Sequence, residues 1–332
     1  MLWLLGLTIL LLKIAVAMGA LFTLAAYMVL VERKLLGRLQ IRYGPNRVGP
    51  YGLLQPLADA LKMLIKEDFE PARAERIIFR FAPAVVAAVP LVIFAVIPFG
   101  SGLTIDGHPI PLVVSDLDVG LLLVLAVTSL SVYGIALGGW ASGSKYSLLG
   151  GIRGAAQLIS YELPMGLSLV PVVMLAGTFS LVGIVDAQAR CPFVLLQPVS
   201  FILLFTCAVA ETNRLPFDLP EAENELIAGY HTEYSGMRFG LFFVGEYVSM
   251  IVMGALIAVF FLGGWRGPLL PGVVWFFLKT ILTPIFLIWT RGTLPRVRYD
   301  QLMHFGWKVL LPVALLNIVA TGGIILLTGG LK

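Results

Sequence analysis

Charge is what this sequence has least of. Asp, Glu, Lys and Arg make up 13% of its 332 residues, against roughly 25% in ordinary soluble domains, while hydrophobic residues reach 59% and mean hydropathy is +0.95. So few polar groups cannot cover a water-facing exterior, which leaves an exterior that faces lipid. Cysteine is nearly absent. Cys191 and Cys207 belong to no C-x-x-C pair and fall short of the roughly four thiolates an iron–sulfur cluster needs, so two buried thiols are expected rather than a cluster or a disulfide. His108, His231 and His304 form no pair at ligand spacing, and no metal site is expected. Neither G-x-G-x-x-G nor G-x-x-x-x-G-K-[ST] occurs, so the chain carries no recognisable dinucleotide or nucleotide-phosphate motif. A net charge of +4 and a pI near 9.1 would suit nucleic acid in a soluble protein, but here the basic residues sort by loop, and no nucleic-acid partner is expected.

What the sequence has instead is long apolar runs. Runs of about 20 residues mark spans near 3–31, 77–98, 118–139, 154–176, 194–212, 239–262, 272–291 and 308–328, an all-α polytopic architecture of about eight transmembrane helices in one integral membrane domain covering 1–332. Pro90, Pro98, Pro164, Pro171 and Pro284 fall in or beside these spans, which membrane helices tolerate when neighbours satisfy the freed carbonyls. Ala15-Val16-Ala17 offers a signal-cleavage pattern. However, no positive charge precedes the apolar run, which continues through Leu30, so a retained helix is expected.

The basic residues divide sharply. Loops 32–76, 140–153, 213–238 and 292–307, together with the span ends beside them, hold Arg33, Lys34, Arg38, Lys145, Arg153, Arg214, Arg238, Arg291 and others, whereas the loops between them hold only Arg190 and Arg266. By the positive-inside rule the odd-numbered loops are cytoplasmic and both termini lie outside. Residues 53–66 put Gln55, Asp59, Lys62 and Lys66 on one face and a row of leucines on the other, an amphipathic surface helix. Asp218-Leu219-Pro220-Glu221 reads as a D-x-x-E capping box opening a short helix that ends near Gly229. Arg42 to Arg47 is a turn, because Gly44-Pro45-Asn46 cannot continue a helix.

The informative residues are ionisable groups inside apolar runs: Glu162, Glu211, Glu246 and Lys279. Each costs roughly 2.5–3.5 kcal/mol at bilayer depth on insertion scales unless paired, hydrated or neutral. Acids held there exchange protons near neutral pH, as a relay requires, and Lys279 is a candidate partner for them. The bland reading is hydrogen bonding to a neighbouring helix. The fifth loop adds Asp218, Glu221, Glu223, Glu225 and Glu233, with Glu221 and Glu225 at i, i+4 on one helix face. They are either a solvated helix start or a polar funnel toward Glu211 and Glu162. Glu32 and Arg33 close the first span, as a helix-end charge pair or as the lining of a mouth beneath a docked partner.

These segments resemble one family along nearly the whole chain: the membrane subunit of respiratory complex I, proton-pumping NADH:quinone oxidoreductase, called subunit 1 or, in bacteria, the H subunit. The resemblance is carried by Glu32-Arg33-Lys34, RYGPNRVGP at 42–50, KEDFEP at 66–71, KYSLLGGIR at 145–153 and Ser160-Tyr161-Glu162. It continues in ETNRLPFDLPEAENELIAGYHTEYSGM at 211–237, Gly245-Glu246-Tyr247 and LPRVRYDQ at 294–301. It implies a subunit that anchors a peripheral arm, forms the entrance of the quinone chamber and couples quinone reduction to proton translocation, with an antiporter-like half-fold in helices two to six. By motif, Glu32, Arg33, Asp59, Lys62, Lys66, Arg214, Glu221, Glu223 and Glu225 would belong to the quinone chamber and its surroundings, with Glu67 and Asp68 in the following turn. Glu162, Glu211 and Glu246 would form the proton path, with Tyr161 and Tyr247 as polar links. The resemblance implies no catalytic residue, metal or cofactor of its own. Quinone is the substrate, FMN and iron–sulfur clusters sit in partner subunits, and the partners are other complex I subunits and membrane lipid in a bacterial inner membrane. Related membrane subunits serve nickel–iron hydrogenases and coenzyme F420 or ferredoxin dehydrogenases, a free-standing proton antiporter would use similar acids, and a structural anchor would leave them silent. The 211–237 stretch and the 42–50 loop favour the quinone-reducing branch.

Overall fold

A computed structural model describes residues 2–105 and 108–328. The chain is an all-α polytopic membrane protein. Helix α1 (Leu2–Leu39) is followed by α2 (Gln55–Ile65), α3 (Arg76–Val96), a two-stranded antiparallel hairpin of β1 (Gly100–Ile105) and β2 (His108–Leu112), α4 (Gly120–Thr128) and α5 (Ser131–Ala141). Then come α6 (Lys145–Ala176), α7 (Leu181–Ala187), α8 (Phe193–Leu196), α9 (Pro198–Glu211), α10 (Glu223–Leu226) and α11 (Gly236–Phe261). Helices α12 (Gly272–Thr293), α13 (Tyr299–Phe305) and α14 (Leu311–Leu327) complete the chain, with a π-helical turn at Gly306–Leu310 between the last two.

Among the described residues, seven helical segments are long and apolar enough to cross a membrane: Gly6–Leu39, Arg76–Val96, Gly120–Ala141, Lys145–Ala176, Gly236–Phe261, Gly272–Thr293 and Tyr299–Leu327. Helix α9 is apolar but has only 14 residues, about 21 Å at 1.5 Å per residue, less than the roughly 30 Å hydrocarbon core. Gln197 (φ −131°, ψ 59°) leaves the helical region and separates α9 from α8. Helix α1 runs past Val31 to Leu39 because Glu32-Arg33-Lys34-Leu35-Leu36 are all good helix formers, so Glu32 and Arg33 lie inside a helix rather than at its end.

Helix α11 is the centre of the bundle, with most of its residues buried, and it packs against α1, α3, α9 and α12. From Met250 to Phe261 it is apolar all round, as an enclosed helix segment is expected to be, and small residues let its neighbours approach. A Cβ at Gly254 would stand 2.4 Å from the Thr280 carbonyl oxygen of α12. Helix α14 is the opposite case, with long apolar side chains such as Leu316, Val319 and Leu327 facing outward.

The third span is broken. Thr128 and Ser129 turn their hydroxyls back onto the carbonyls of Val124, Leu125 and Ala126, and the helix stops at Thr128 and restarts at Ser131. Irregular backbone at membrane depth is tolerated only where protein or a polar cavity meets it, and the break faces the cavity described below.

The loops rich in basic residues meet in one layer. Arg238 at the start of α11 pairs with Asp68 at 3.1 Å and Glu70 at 2.7 Å, the Glu75 N–H donates to the Ala141 carbonyl, Arg153 pairs with Glu225 at 2.6 Å, and Arg296 donates to the Asp218 carbonyl. At the other end of the helices, Asp186 pairs with Arg266 at 2.6 Å.

The 213–235 loop departs from its capping-box reading. Helix α10 has only four residues and begins at Glu223, and Ala222 before it is left-handed (φ 41°). The chain reverses there because Tyr230 N–H bonds back to the Pro220 carbonyl, and Gly229 (φ +58°) passes so close to that carbonyl that a Cβ would sit 1.7 Å from its oxygen. This tertiary closure overrides the local helix signal. Glu221 is left outside the helix, and it does not share a face with Glu225.

Candidate functional site

Arg214 is the hub of the site. It lies in the turn after α9, is 4% exposed, and reaches two acids on two other helices. Its Nη1 donates to Glu32 Oε1 at 2.7 Å, its Nε pairs with the Glu246 carboxylate, and its guanidinium carbon lies 4.6 Å from the centre of the Tyr247 ring. Tyr247 in turn donates its hydroxyl to Glu32 Oε2 at 2.6 Å, and Arg291 from α12 donates to Glu32 Oε1. Two cations thus face two carboxylates, a balance that a buried cluster requires because an unpaired ion there costs several kcal/mol. Burial works against the Arg214 charge, but Glu246 and Glu32 outweigh it and hold the guanidinium protonated.

A cavity in two adjoining parts opens on this network. One part has mostly apolar walls, among them Val86, Ile93 and Val252, with Thr128, Ser131, Glu211, Asn213, Glu221 and Glu246 set into them, and the other is lined by Arg214, Asp218, His231, Arg291 and again Glu221 and Glu246. They leave about 40 Å³ and 150 Å³ of space for water. A water needs roughly 10–15 Å³, so both parts have room for water beside polar groups that could bind it. At the inner end, Ser131 beside the helix break donates to Glu211 Oε1 at 3.1 Å. Glu162 lies on α6, and its Oε1 has no hydrogen-bond donor among the described residues.

Other residues singled out by sequence stand apart. Arg33 points away from Glu32, its neighbour in α1, and pairs with Asp59 of α2 at 2.7 Å, where Gln55 also donates to Asp59 at 3.0 Å. Lys62 and Lys66 are exposed on and just after α2. Glu225 is half exposed and paired with Arg153, whose hydrogen bond holds the carboxyl below its usual range, so it belongs to the loop layer rather than to the cavity. Glu221 does line the cavity, with His231 Nδ1 at 3.9 Å. Burial lowers His231 to about 4, which keeps its imidazole neutral near pH 7. Glu223 contributes backbone to α10, and its side chain lies outside the described residues.

Two expectations need correction. Among the described residues Lys279 pairs with no acid. Its ammonium donates to the carbonyls of Leu262 at 2.5 Å, Arg266 at 2.6 Å and Gly264 at 3.0 Å, all in the turn that follows α11, where the chain has left the helical hydrogen-bond pattern. Nor does Tyr161 bond an acid among the described residues: its hydroxyl donates to the Leu302 carbonyl at 3.0 Å and its ring packs on Phe217. Cys207 is buried and Cys191 only partly so, and both thiols are free. Among the described residues no group of three or more His, Cys, Asp and Glu is placed to hold a metal ion.

Sequence reasoning missed Arg291, counted only as a loop charge, and Ser131, Asn213, His231 and Gln157, which carried no local signal except that each is polar next to an apolar run.

The chain has many relatives of known name. The family model described as NADH dehydrogenase matches residues 12–322. The chain is 64% identical to the second H subunit of the NADH-quinone oxidoreductases of Syntrophobacter fumaroxidans, over 98% of this chain and 99% of that one. It is 62% identical to the second H subunit of the NADH-quinone oxidoreductases of Geobacter sulfurreducens, over 95% of each. It is 58% identical to the NADH-quinone oxidoreductase H subunit of Syntrophotalea carbinolica, over 96% of each. With a match of this extent at both levels, the chain belongs to the NADH dehydrogenase family, alongside the H subunits of NADH-quinone oxidoreductases.

Proposed function

We propose that this chain is the membrane subunit of a proton-pumping NADH:quinone oxidoreductase that forms the quinone-chamber entrance, anchors the peripheral arm and converts quinone reduction into proton movement. The observation that carries the reading is the buried Glu32–Arg214–Glu246 network opening onto a cavity that ends at Glu211. Reduction of a quinone takes up two electrons and two protons. FMN and iron–sulfur clusters in partner subunits deliver the electrons, and this chain's residues deal with the charge. A charge change beside Glu221 and Glu246 alters the balance around Arg214, and the cavity waters carry the proton adjustment to Glu211 and then Glu162. Tyr247, bonded to Glu32, fixes the network's geometry. Glu225 stays outside the relay, bound to Arg153.

The exposed Arg33–Asp59 pair, Lys62 and Lys66 belong to the chamber mouth, where the basic loop layer receives the peripheral subunits from the cytoplasmic side of a bacterial inner membrane. Both termini then lie outside. Isolation of the chain with its natural partners should bring down a subunit that binds FMN and NADH. Recovery of a nickel–iron or F420-binding partner instead would move the chain to a sister branch.

The decisive experiment is Glu211→Gln in membranes with the complex shown to be assembled. Gln keeps the shape and loses the exchangeable acid, so NADH:quinone reduction and proton pumping should both fall, by about 10²-fold or more if proton transfer limits turnover. Full retention of both would make Glu211 a structural residue and remove it from the path.

A further inference from the structure

Gln157 lies on α6 opposite the turn that carries both Glu211 and Arg214, and it is fully buried. Its amide nitrogen donates to the Ala210 carbonyl at 2.8 Å and the Phe217 carbonyl at 2.8 Å, with Asn213 Oδ1 at 3.3 Å. Those contacts fix which end of the amide is nitrogen, since its oxygen cannot face two carbonyl oxygens. The amide has two hydrogens, and they go to the two feet of one turn.

The middle of the turn is held by its own backbone and by Val297, whose N–H donates to the Pro216 carbonyl at 3.1 Å. Asn213 is left-handed (φ 50°), and Phe217 N–H bonds the Arg214 carbonyl at 2.8 Å. From this turn Glu211 faces Ser131, while Arg214 reaches Glu32 and Glu246. The last acid of the cavity and the hub of the ion network therefore ride on one short loop, pinned at both ends by a single side chain from another helix. Packing alone does not account for an amide here. Gln157 Oε1 has no donor among the described residues, and a buried acceptor in that condition is destabilising. The feature an apolar residue would lack is the pair of converging N–H donors.

We infer that Gln157 is a positioning residue that holds Arg214 and Glu211 in fixed relation, so that a change at the ion network reaches the acid instead of being absorbed by the loop. The inference rests on the coupling role proposed above and adds to it the part that transmits.

The test uses the intact complex in membranes, with Gln157→Leu, Gln157→Glu and Glu211→Gln side by side and assembly verified in each. With the loop released, both Gln157 variants should lower kcat for quinone reduction by about tenfold, the scale of a sub-ångström misplacement, with the quinone KM unchanged and fewer protons pumped per electron. The two should then differ in pH response. The carboxyl introduced by Gln157→Glu offers one donor, and only when protonated, so it can restore one of the two bonds and its activity should recover in part on going from about pH 8 to about pH 6, whereas Gln157→Leu should not recover. Should Gln157→Leu fail to assemble, Gln157→Glu, which has the same shape, carries the test. Wild-type turnover and stoichiometry in either variant, or no recovery of Gln157→Glu at low pH, overturns the inference. Glu211→Gln separates the levels. If it abolishes coupling while the Gln157 variants behave as wild type, only the positioning role fails. If it is itself fully active, the coupling reading fails first.

Discussion

Arg214 and Lys279 are both cations set among apolar helices, and they are neutralised in different ways. Arg214 faces two carboxylates and a phenol, all of them ionisable, around a cavity with room for water. Lys279 faces three backbone carbonyls at the far end of α11, with the Trp275 ring centre 5.8 Å away. Carbonyls do not titrate. A cation held by them satisfies the helix end and the helix dipole, and its surroundings look the same whatever happens at the quinone. A cation held by acids belongs to a set whose protonation shifts as a group. Arg214 meets α11 near its middle, at Glu246, and the partly buried Lys279 meets the turn just past its C-terminal end, but only the Glu246 site has a charge balance that chemistry can change. A buried charge becomes informative about function only once its counter-charge is known.

The largest effect expected from this contrast is at Arg214. Arg214→Met would leave Glu32 and Glu246 as buried acids with one cation removed, and breaking a buried pair from one side costs about 3–5 kcal/mol. Assembly or quinone reduction should collapse. Arg214→Lys sharpens the point, because one ammonium cannot reproduce a fork that serves acids on two helices while lying over Tyr247. It too should lose coupled turnover, read as NADH:quinone reduction with pumping. Full activity in Arg214→Lys would mean that charge alone matters and that the geometry of the network does not.

Lys279→Met tests the other side. Three carbonyls at the end of α11 lose their donor, which costs about 1–3 kcal/mol, so thermal inactivation of the complex should come at lower temperature while protons pumped per electron stay as in wild type. The contrast would break if stability held and stoichiometry fell, since Lys279 would then belong to the path.

The same contrast explains what could be read in the sequence. Spans are legible because apolar length is a local property, and the acids stand out because they are expensive where they lie. The 53–66 surface helix is local in the same sense, and it appears as Gln55–Ile65. The partners are not local. Glu32 and Arg214 are 182 residues apart in sequence, and nothing near either one names the other. Lys279 looked like a partner for the acids only because its real acceptors are main-chain atoms, which every residue has. The Asp218 capping box failed for a related reason. Its local signal was sound, but closure of Tyr230 onto Pro220 moved the helix start to Glu223 and separated Glu221 from Glu225. Gln157 was passed over as one polar residue in an apolar run, and its importance depends on a turn more than 50 residues later.

The smallest effect at neutral pH is expected at His231, which asks where the titrating set ends. His231 lines the same cavity as Arg214 and Glu221, yet burial lowers its pKa from 6.5 to about 4. Between those values the unfolded chain takes up a proton at this residue and the folded chain does not. The stability it contributes is therefore complete above pH 6.5, falls as the pH drops toward 4, and levels off below that. His231→Gln removes this dependence. The variant should lose stability less steeply than wild type between pH 6.5 and 4, measured as thermal inactivation of the complex across that range, and its pumping profile from pH 7 to 8 should be unchanged. An identical acid limb would show that the imidazole titrates normally and is not excluded from water. A shifted profile near neutrality would place His231 among the groups that exchange protons with Glu221, and the boundary between the fixed and the titrating parts of the cavity would have to be drawn on its other side.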